Sequence, residues 1–360
     1  MDSQVQVVET CLVTPSEDSP RKALALSPLD LLLANRGHTP TVYFYPRTAG
    51  AVSGDGGFFD VERLKASMAR ALVAFYPLAG RLAMDDDDGQ LRIDCNGEGA
   101  LLVVARHDGL AVDDFDGFGP SPELRRLFVP RVEPPSIIMA IQPSSSPDHP
   151  VVVSEVLVLS ADHVSNLKHA CGDVSTFAAV TAHVWRCLCV TRRLPPNAKT
   201  RLTFPASIHR SIRPKISNHY FGNAIIWLGT AGLVCDIVAP DDDTLAVVAG
   251  CVTGAVRRMD DEVARSAIDY FEIMREKYGH LLPSPPSDVA ETDLRVVSWL
   301  GMPVYDVDFG WGTPRQMLRA ESERGGFVYL MNGGPGDGGG LRTVVCMKAA
   351  NLVEFKRLLF

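Results

Sequence analysis

The sequence predicts an α/β protein of two domains in which helices pack on mixed sheets. Three observations lead there. Strand-like and helix-like periodicities are interleaved from end to end rather than segregated. The length of 360 residues exceeds one ordinary domain. The balance of 46% hydrophobic to 22% charged residues is that of a globular chain with ample core. A net charge of −8 and a pI near 5.6 exclude a nucleic-acid partner, because no basic stripe offsets the acids. The eight cysteines (Cys11, Cys95, Cys171, Cys187, Cys189, Cys235, Cys251 and Cys346) show neither paired CxxC ligands nor the density of a disulfide scaffold. They read as reduced core residues, with no metal site. Met1-Asp2-Ser3-Gln4 opens no basic and apolar leader, and no segment reaches the length of a membrane span. The expectation is a cytoplasmic protein, monomeric, without a membrane partner.

Residues 5–13 and 41–45 read as extended runs, the second with strong strand character. Asp60 caps a helix in which Val61, Leu64, Met68, Leu72 and Phe75 recur at helical spacing. Pro77 stops it, and a hairpin follows through the acidic turn 85–89. Four consecutive carboxylates, Asp85 to Asp88, point in different directions and lack the alternating spacing of a calcium loop, so they read as a solvated turn. Residues 91–95 and 100–105 are strands with Asn96-Gly97-Glu98-Gly99 as the turn between them. The strand 137–142 then runs into Pro143-Ser144-Ser145-Ser146-Pro147-Asp148-His149-Pro150, a composition expected neither to pair nor to pack.

Beyond this linker the pattern resumes at 151–159. Ser160 caps a short helix with Val164, Leu167 and Cys171 on one face, so His169 points away from the core. Gly172 ends it. Ser175 opens a second helix through Phe177, Val180, Val184 and Leu188, on which His183 is a packing residue. Residues 202–206 form a strand, 207–214 a loop with the cations His209, Arg210 and Arg213, and Tyr220-Phe221-Gly222-Asn223 a turn into a strand at 224–228. Residues 241–243 open a long helical region that Gly279 closes. A strand at 294–300, two more around the glycine-rich tip 333–340, and a helix at 351–359 complete the chain. The tip is no phosphate loop, since the strand–GxxxxGK–helix context is missing.

One stretch resists a purely local account. In Asp308-Phe309-Gly310-Trp311-Gly312, glycines flank a Trp, an acid precedes it, and Thr313-Pro314 follows. An extended apolar run must end there in a loop whose backbone lies close to something else. A tight turn around a buried Trp and a functional loop both fit.

Taken together, several phrases resemble the plant BAHD acyltransferases, the hydroxycinnamoyl- and benzoyl-CoA transferases of amine-acylating type most of all. These are Leu26-Ser27-Pro28-Leu29-Asp30, the run His38 to Tyr45, the run Phe75 to Leu82, Ala182-His183-Val184-Trp185-Arg186, Tyr220-Phe221-Gly222-Asn223 and DFGWG at 308–312. The resemblance implies two chloramphenicol-acetyltransferase-like domains with a channel between them. It implies acyl-CoA as co-substrate, no bound cofactor, and an amine or alcohol as acceptor. Thr39, Thr41, Tyr43 and Trp311 would line the substrate site. Asp308 would organise the site by pairing with Arg210 or Arg213, with Phe309, Gly310 and Gly312 as structural residues. The expected domains are 1–142, incomplete, and 151–360, carrying DFGWG, joined by a crossing at 143–150.

The resemblance also breaks. After the strand 137–142 the family continues into the strand and helix that carry its HxxxD motif, whose His is the general base. Here roughly 60–70 residues are missing at that point. His169 and Asp173 match the HxxxD spacing, but on a short helix with His169 facing solvent they make a decoy. Where the family's shikimate- and quinate-using members carry an arginine after Ser-Trp, Ser298-Trp299 is followed by Leu300-Gly301, so a carboxylate-bearing acceptor loses its partner. Three readings stay open: an active transferase with a base from elsewhere, a non-catalytic binding or regulatory member of the family, and a truncated or alternatively spliced product.

Overall fold

The computed structural model describes residues 5–34, 37–46, 59–106, 120, 122–133, 136–145, 156–172, 174–241, 243–279, 289–320, 326–347 and 349–360. The first elements in chain order are β1 (Gln6–Val13), β2 (Ala23–Ala25), α1 (Pro28–Ala34), β3 (Thr41–Phe44) and α2 (Val61–Ala74). Next come β4 (Arg81–Met84), β5 (Leu91–Asp94), β6 (Ala100–Arg106), α3 (Pro122–Phe128), β7 (Ala140–Ile141) and β8 (Ser144–Ser145). Then follow β9 (Val156–Leu159), α4 (Ala161–Ala170), α5 (Thr176–Thr191), β10 (Lys199–Ser207), β11 (Ile225–Leu233) and α6 (Val234–Val238). The last are α7 (Thr244–Arg257), α8 (Asp261–Tyr278), β12 (Leu294–Ser298), β13 (Gln316–Arg319), β14 (Phe327–Asn332), β15 (Leu341–Val345) and α9 (Ala349–Leu359).

Residues 1–153, 274–283 and 303–321 form one compact unit; 154–273, 284–302 and 322–360 form another. The chain therefore does not divide at a single point. The stretch 303–321, expected with the second domain, groups with the first unit because β13 is the antiparallel partner of β3.

In the first unit β6 is central to one sheet, with β1 on one edge and β7 and β8 on the other. Residues 143–145 were expected to be unpaired. Instead β8 runs parallel to the end of β6, and the Ala105 amide donates to the Pro143 carbonyl at 3.0 Å. Proline lacks an N–H but keeps a carbonyl, so it can serve an edge that offers donors. Residues 146–150 of the linker lie outside the described residues. Helix α2 begins where the Asp60 carboxylate accepts the Arg63 amide at 3.0 Å. It buries Leu64, Met68 and Leu72 against Val13, Ala100 and Leu102. Phe75 is 48% exposed, off the buried stripe, because the chain turns into a 3-10 segment, Tyr76–Ala79, around Pro77.

Strands β4 and β5 form the hairpin expected around 85–89, and its acids are consumed locally: Arg92 pairs with Asp85 at 2.7 Å and with Asp88 at 2.5 Å. Residues 96–99 close no hairpin. They carry the chain from the β2-β5-β4 sheet to β6 in another sheet. Gly99 is needed there, since its φ is +106° and a Cβ would stand 2.7 Å from the Val13 carbonyl oxygen. Of the expected strand 137–142 only β7 is regular, with Ile137 bridging Arg81.

The second unit is a six-stranded sheet in the order β11-β10-β12-β14-β15-β9. One face, carrying Leu202, Phe204, Leu294, Val296, Val328 and Leu330, packs in a single core with Ala179, Val184 and Leu188 of α5, Val248 and Val252 of α7, and Phe355 of α9. Trp185 lies in this core with its indole N–H donating to the Thr200 hydroxyl at 2.9 Å. The long helical region after 243 is two helices: Arg258 ends α7, and the Asp260 carboxylate accepts the Val263 amide at 2.9 Å to start α8. All eight cysteines are free thiols. Cys235 and Cys251 are exposed, so the core assignment fails for those two. No helix among the described residues is long and apolar enough to cross a membrane.

Candidate functional site

The DFGWG loop is held in the first unit by the segment that follows it and by the end of β3. In the β3–β13 ladder Thr41 lies opposite Arg319, Tyr43 opposite Met317 and Phe44 opposite Gln316. Pleating turns Val42 and Phe44 into a cluster with Leu124, Leu318 and Ala320. Thr41 and Tyr43 take the other face, Thr41 exposed and Tyr43 half-buried; Thr39, just before the strand, is exposed.

The alternation continues past the strand to Tyr45, which is 7% exposed. Its hydroxyl donates to the Val307 carbonyl at 3.0 Å. Its ring meets Phe59, Phe309 and Trp311 edge-on, with centroids 6.4, 6.2 and 6.1 Å away. Trp311 also lies 5.2 Å from Phe59 and 5.5 Å from Phe309, and packs against the α2–β6 core. Phe309 itself is 38% exposed.

Asp308 is exposed, not buried, and its Oδ1 accepts the Gly310 amide at 2.6 Å and the Gly312 amide at 3.0 Å. Both glycines have positive φ, +98° and +99°, which lets the chain fold back on the carboxylate. A side chain at Gly310 would collide with the Arg63 guanidinium, whereas the space beside Gly312 is open.

Burial raises the Tyr43 phenol above its usual range. Tyr45 is raised further, first by burial, then by Tyr43 and the Asp308 carboxylate. Both stay protonated near neutrality, so neither is a base there, and the Tyr45 hydroxyl is a donor. Among the described residues no group of three or more His, Cys, Asp or Glu could hold a metal ion.

Asp308, Phe309, Gly310, Trp311 and Gly312 thus form one loop packed on Tyr45, and Tyr43 of β3 lies two residues before Tyr45 in the same unit. Arg210 and Arg213 are exposed on the loop after β10 in the second unit, where the Arg213 amide donates to Asp261 at 2.6 Å. His169 is exposed on α4, whose buried residues are on the opposite side; Asp173 lies outside the described residues. Sequence reasoning missed Tyr45, Phe59 and Arg63. The period-two alternation, carried two residues beyond Tyr43, was the signal for Tyr45. Arg63 had none, because its partner is a glycine far away in sequence.

Residues 3–143 and 125–358 each match the sequence model of a family described as the Transferase family. Putrescine hydroxycinnamoyltransferase 1 of Oryza sativa subsp. japonica is 34% identical over 445 aligned positions, which cover 99% of this chain and 98% of the relative. With 445 positions against 360 residues, at least 85 positions of that alignment have no residue of this chain. An Avena sativa relative, hydroxycinnamoyl-CoA:5-hydroxyanthranilate N-hydroxycinnamoyltransferase, is 29% identical over 457 positions, covering 99% of each chain. Among solved structures, vinorine synthase is similar at a TM-score of 0.73 and 18% identity, over 98% of this chain and 96% of its own, which is a likeness of fold.

Proposed function

The chain belongs to the Transferase family, the BAHD acyltransferases that transfer acyl groups from CoA thioesters to amines or hydroxyls, and from that premise we propose both a substrate class and a defect. The substrate class is an aromatic acyl-CoA, hydroxycinnamoyl or benzoyl, with an amine as acceptor. The defect is the loss of most or all turnover in this chain. The same reading makes Thr39, Thr41, Tyr43 and Trp311 substrate-lining residues, pairs Asp308 with Arg210 or Arg213, and leaves His169 without a catalytic role. It describes a cytoplasmic monomer.

The chemistry sets what is needed. The amine nitrogen attacks the thioester carbonyl carbon, a C–N bond forms, and the oxyanion collapses with release of CoA thiolate. A base must take the ammonium proton, and hydrogen-bond donors must face the oxyanion. An amine acceptor is consistent with Gly301, since the arginine that the family's shikimate- and quinate-using members carry after Ser-Trp is replaced at that position. A relative named for putrescine supports it as well, and one named for 5-hydroxyanthranilate supports the amine although that acceptor also bears a carboxylate.

The observation that carries the defect is the surplus of at least 85 aligned positions, together with the family match falling into two overlapping pieces, 3–143 and 125–358. We read the surplus as falling after residue 142, where the sequence departs from the family pattern just before its general base. The same observation favours a second reading, a family member that binds acyl-CoA without turning it over. The test uses two proteins, this chain and a version restored with the corresponding segment of the rice relative. Each is assayed with feruloyl-CoA against putrescine, agmatine, tryptamine and shikimate. The restored protein is expected to acylate amines and this chain to do little. A restored protein that used shikimate and ignored the amines would refute the substrate class; equal turnover by both proteins would refute the defect.

A further inference from the structure

We propose that Tyr45 is the positioning residue of the DFGWG loop, holding residues 307–312 in the one shape in which Asp308 captures the Gly310 and Gly312 amides. The inference deepens the acyl-transfer reading and rests on it only for its ligand measurement.

Two adjacent residues fasten both ends of the segment 307–315. The Phe44 carbonyl accepts the Arg315 amide at 2.8 Å, and the Tyr45 hydroxyl donates to the Val307 carbonyl at 3.0 Å. The second tie spans 262 residues of sequence. Within the segment, the bonds from Gly310 and Gly312 to Asp308 are local, reaching only two and four residues. Such a turn, closed on itself around two residues of positive φ, has many alternatives and little to select among them. Selection must come from outside, and Tyr45 supplies it twice: a directional bond at the loop's entrance and an aromatic wall against Phe309 and Trp311. Arg63 covers Gly310 from α2 but is itself exposed, so it adds contact without fixing direction. Because Tyr45 directly continues β3, the loop is also tied to the strand that presents Thr41 and Tyr43.

Tyr45→Phe removes the hydroxyl and keeps the ring. In the full chain without ligand, hydrogen exchange at the Gly310 and Gly312 amides is expected to quicken by about 2- to 10-fold, the range one net hydrogen bond supports. Arg315 and Ala320, whose amides belong to the β3–β13 ladder, are expected to keep their protection. Unchanged exchange at the two glycines would overturn the proposal, and so would equal acceleration along the ladder, which would mean general loosening. The ligand measurement is the Kd for feruloyl-CoA in wild type, Tyr43→Phe, Tyr45→Phe and the double variant. Non-additive losses are expected, since Tyr45 acts through the element that carries Tyr43; additive losses would overturn the coupling. A wild-type chain that bound no feruloyl-CoA would refute the acyl-CoA reading and leave the exchange result to decide Tyr45.

Discussion

The Arg63 guanidinium occupies the space a side chain at Gly310 would need, while Gly312, with nearly the same φ, faces open space. The two glycines of one motif are therefore required for different reasons. Alanine at either position meets the strain of a positive φ, about 1–3 kcal/mol. At Gly310 it must also displace Arg63, the far end of a flexible side chain. Gly310→Ala is expected to lower the unfolding midpoint more than Gly312→Ala, and Arg63→Ala to remove the difference. If Arg63→Ala left the gap between the two variants intact, the close approach would not be its cause.

Asp308 can be an acceptor for its own loop or an ion partner for Arg210 or Arg213, and substitution separates the two. Asparagine keeps an oxygen for the Gly310 and Gly312 amides but loses the charge; alanine loses both. As the loop's acceptor alone, Asp308→Asn should leave amide exchange at Gly310 and Gly312 near wild type, whereas Asp308→Ala should quicken it. If the proposed pairing is also needed, Asp308→Asn and the double variant Arg210→Ala with Arg213→Ala should weaken feruloyl-CoA binding to a similar degree. Full binding by both would remove the pairing from the account.

Local chemistry was legible and long-range pairing was not. The caps at Asp60, Ser160 and Ser175 follow from one oxygen placed ahead of an apolar stripe, and each carboxylate or hydroxyl does accept the expected amide. The glycines of the 308–312 loop were readable as positions that must bend backwards. What composition could not reveal is that residues 316–319 pair with 41–44, or that Pro143 offers its carbonyl to β6. Such choices depend on which edge is vacant in three dimensions. Likewise Asn96 to Gly99 carries all the marks of a hairpin turn yet passes between sheets, because Gly99 answers to Val13 and not to the strand before it.

His183 is expected to make the second unit sensitive to acid. It is half-buried beside Cys187, its Nε2 lies 3.1 Å from the Leu359 carbonyl, and His163 stands 6.1 Å away ring to ring. Burial depresses its protonation below the ordinary 6.5, the Leu359 bond opposes that, and His163 and Arg186 reinforce it. A folded value below the unfolded one means that the unfolded chain binds the proton first. The stability tied to neutral His183 is thus complete above about 6.5 and declines as pH falls from there through the folded value. Urea unfolding followed by fluorescence at pH 7.5 and 5.5 should show a drop in midpoint that is smaller in His183→Gln. An equal drop in both would place the sensitivity elsewhere.

His169 provides the severest check on the proposed loss of activity. It satisfies the HxxxD spacing with Asp173, and a transferase lacking its base would need a substitute. General-base catalysis is worth about 10²–10⁴-fold, so positioning and oxyanion stabilisation alone could leave a trace of turnover. The question is whether His169 supplies the rest. It is exposed on α4, and the same helix buries Leu167 and turns half-buried Val164 toward the core. Cys171 caps the helix from inside that core, and Gly172 ends it at φ +75°. Turning His169 inward would bring Leu167 out, at about 1.5–3 kcal/mol for that side chain before Val164 and Cys171 are considered. A group that must overcome such a cost is a poor base for every turnover. The expected result is that this chain and His169→Ala show the same feeble amide formation from feruloyl-CoA and putrescine. Substantial turnover by the chain that disappeared in His169→Ala would make His169 the base and overturn the assignment.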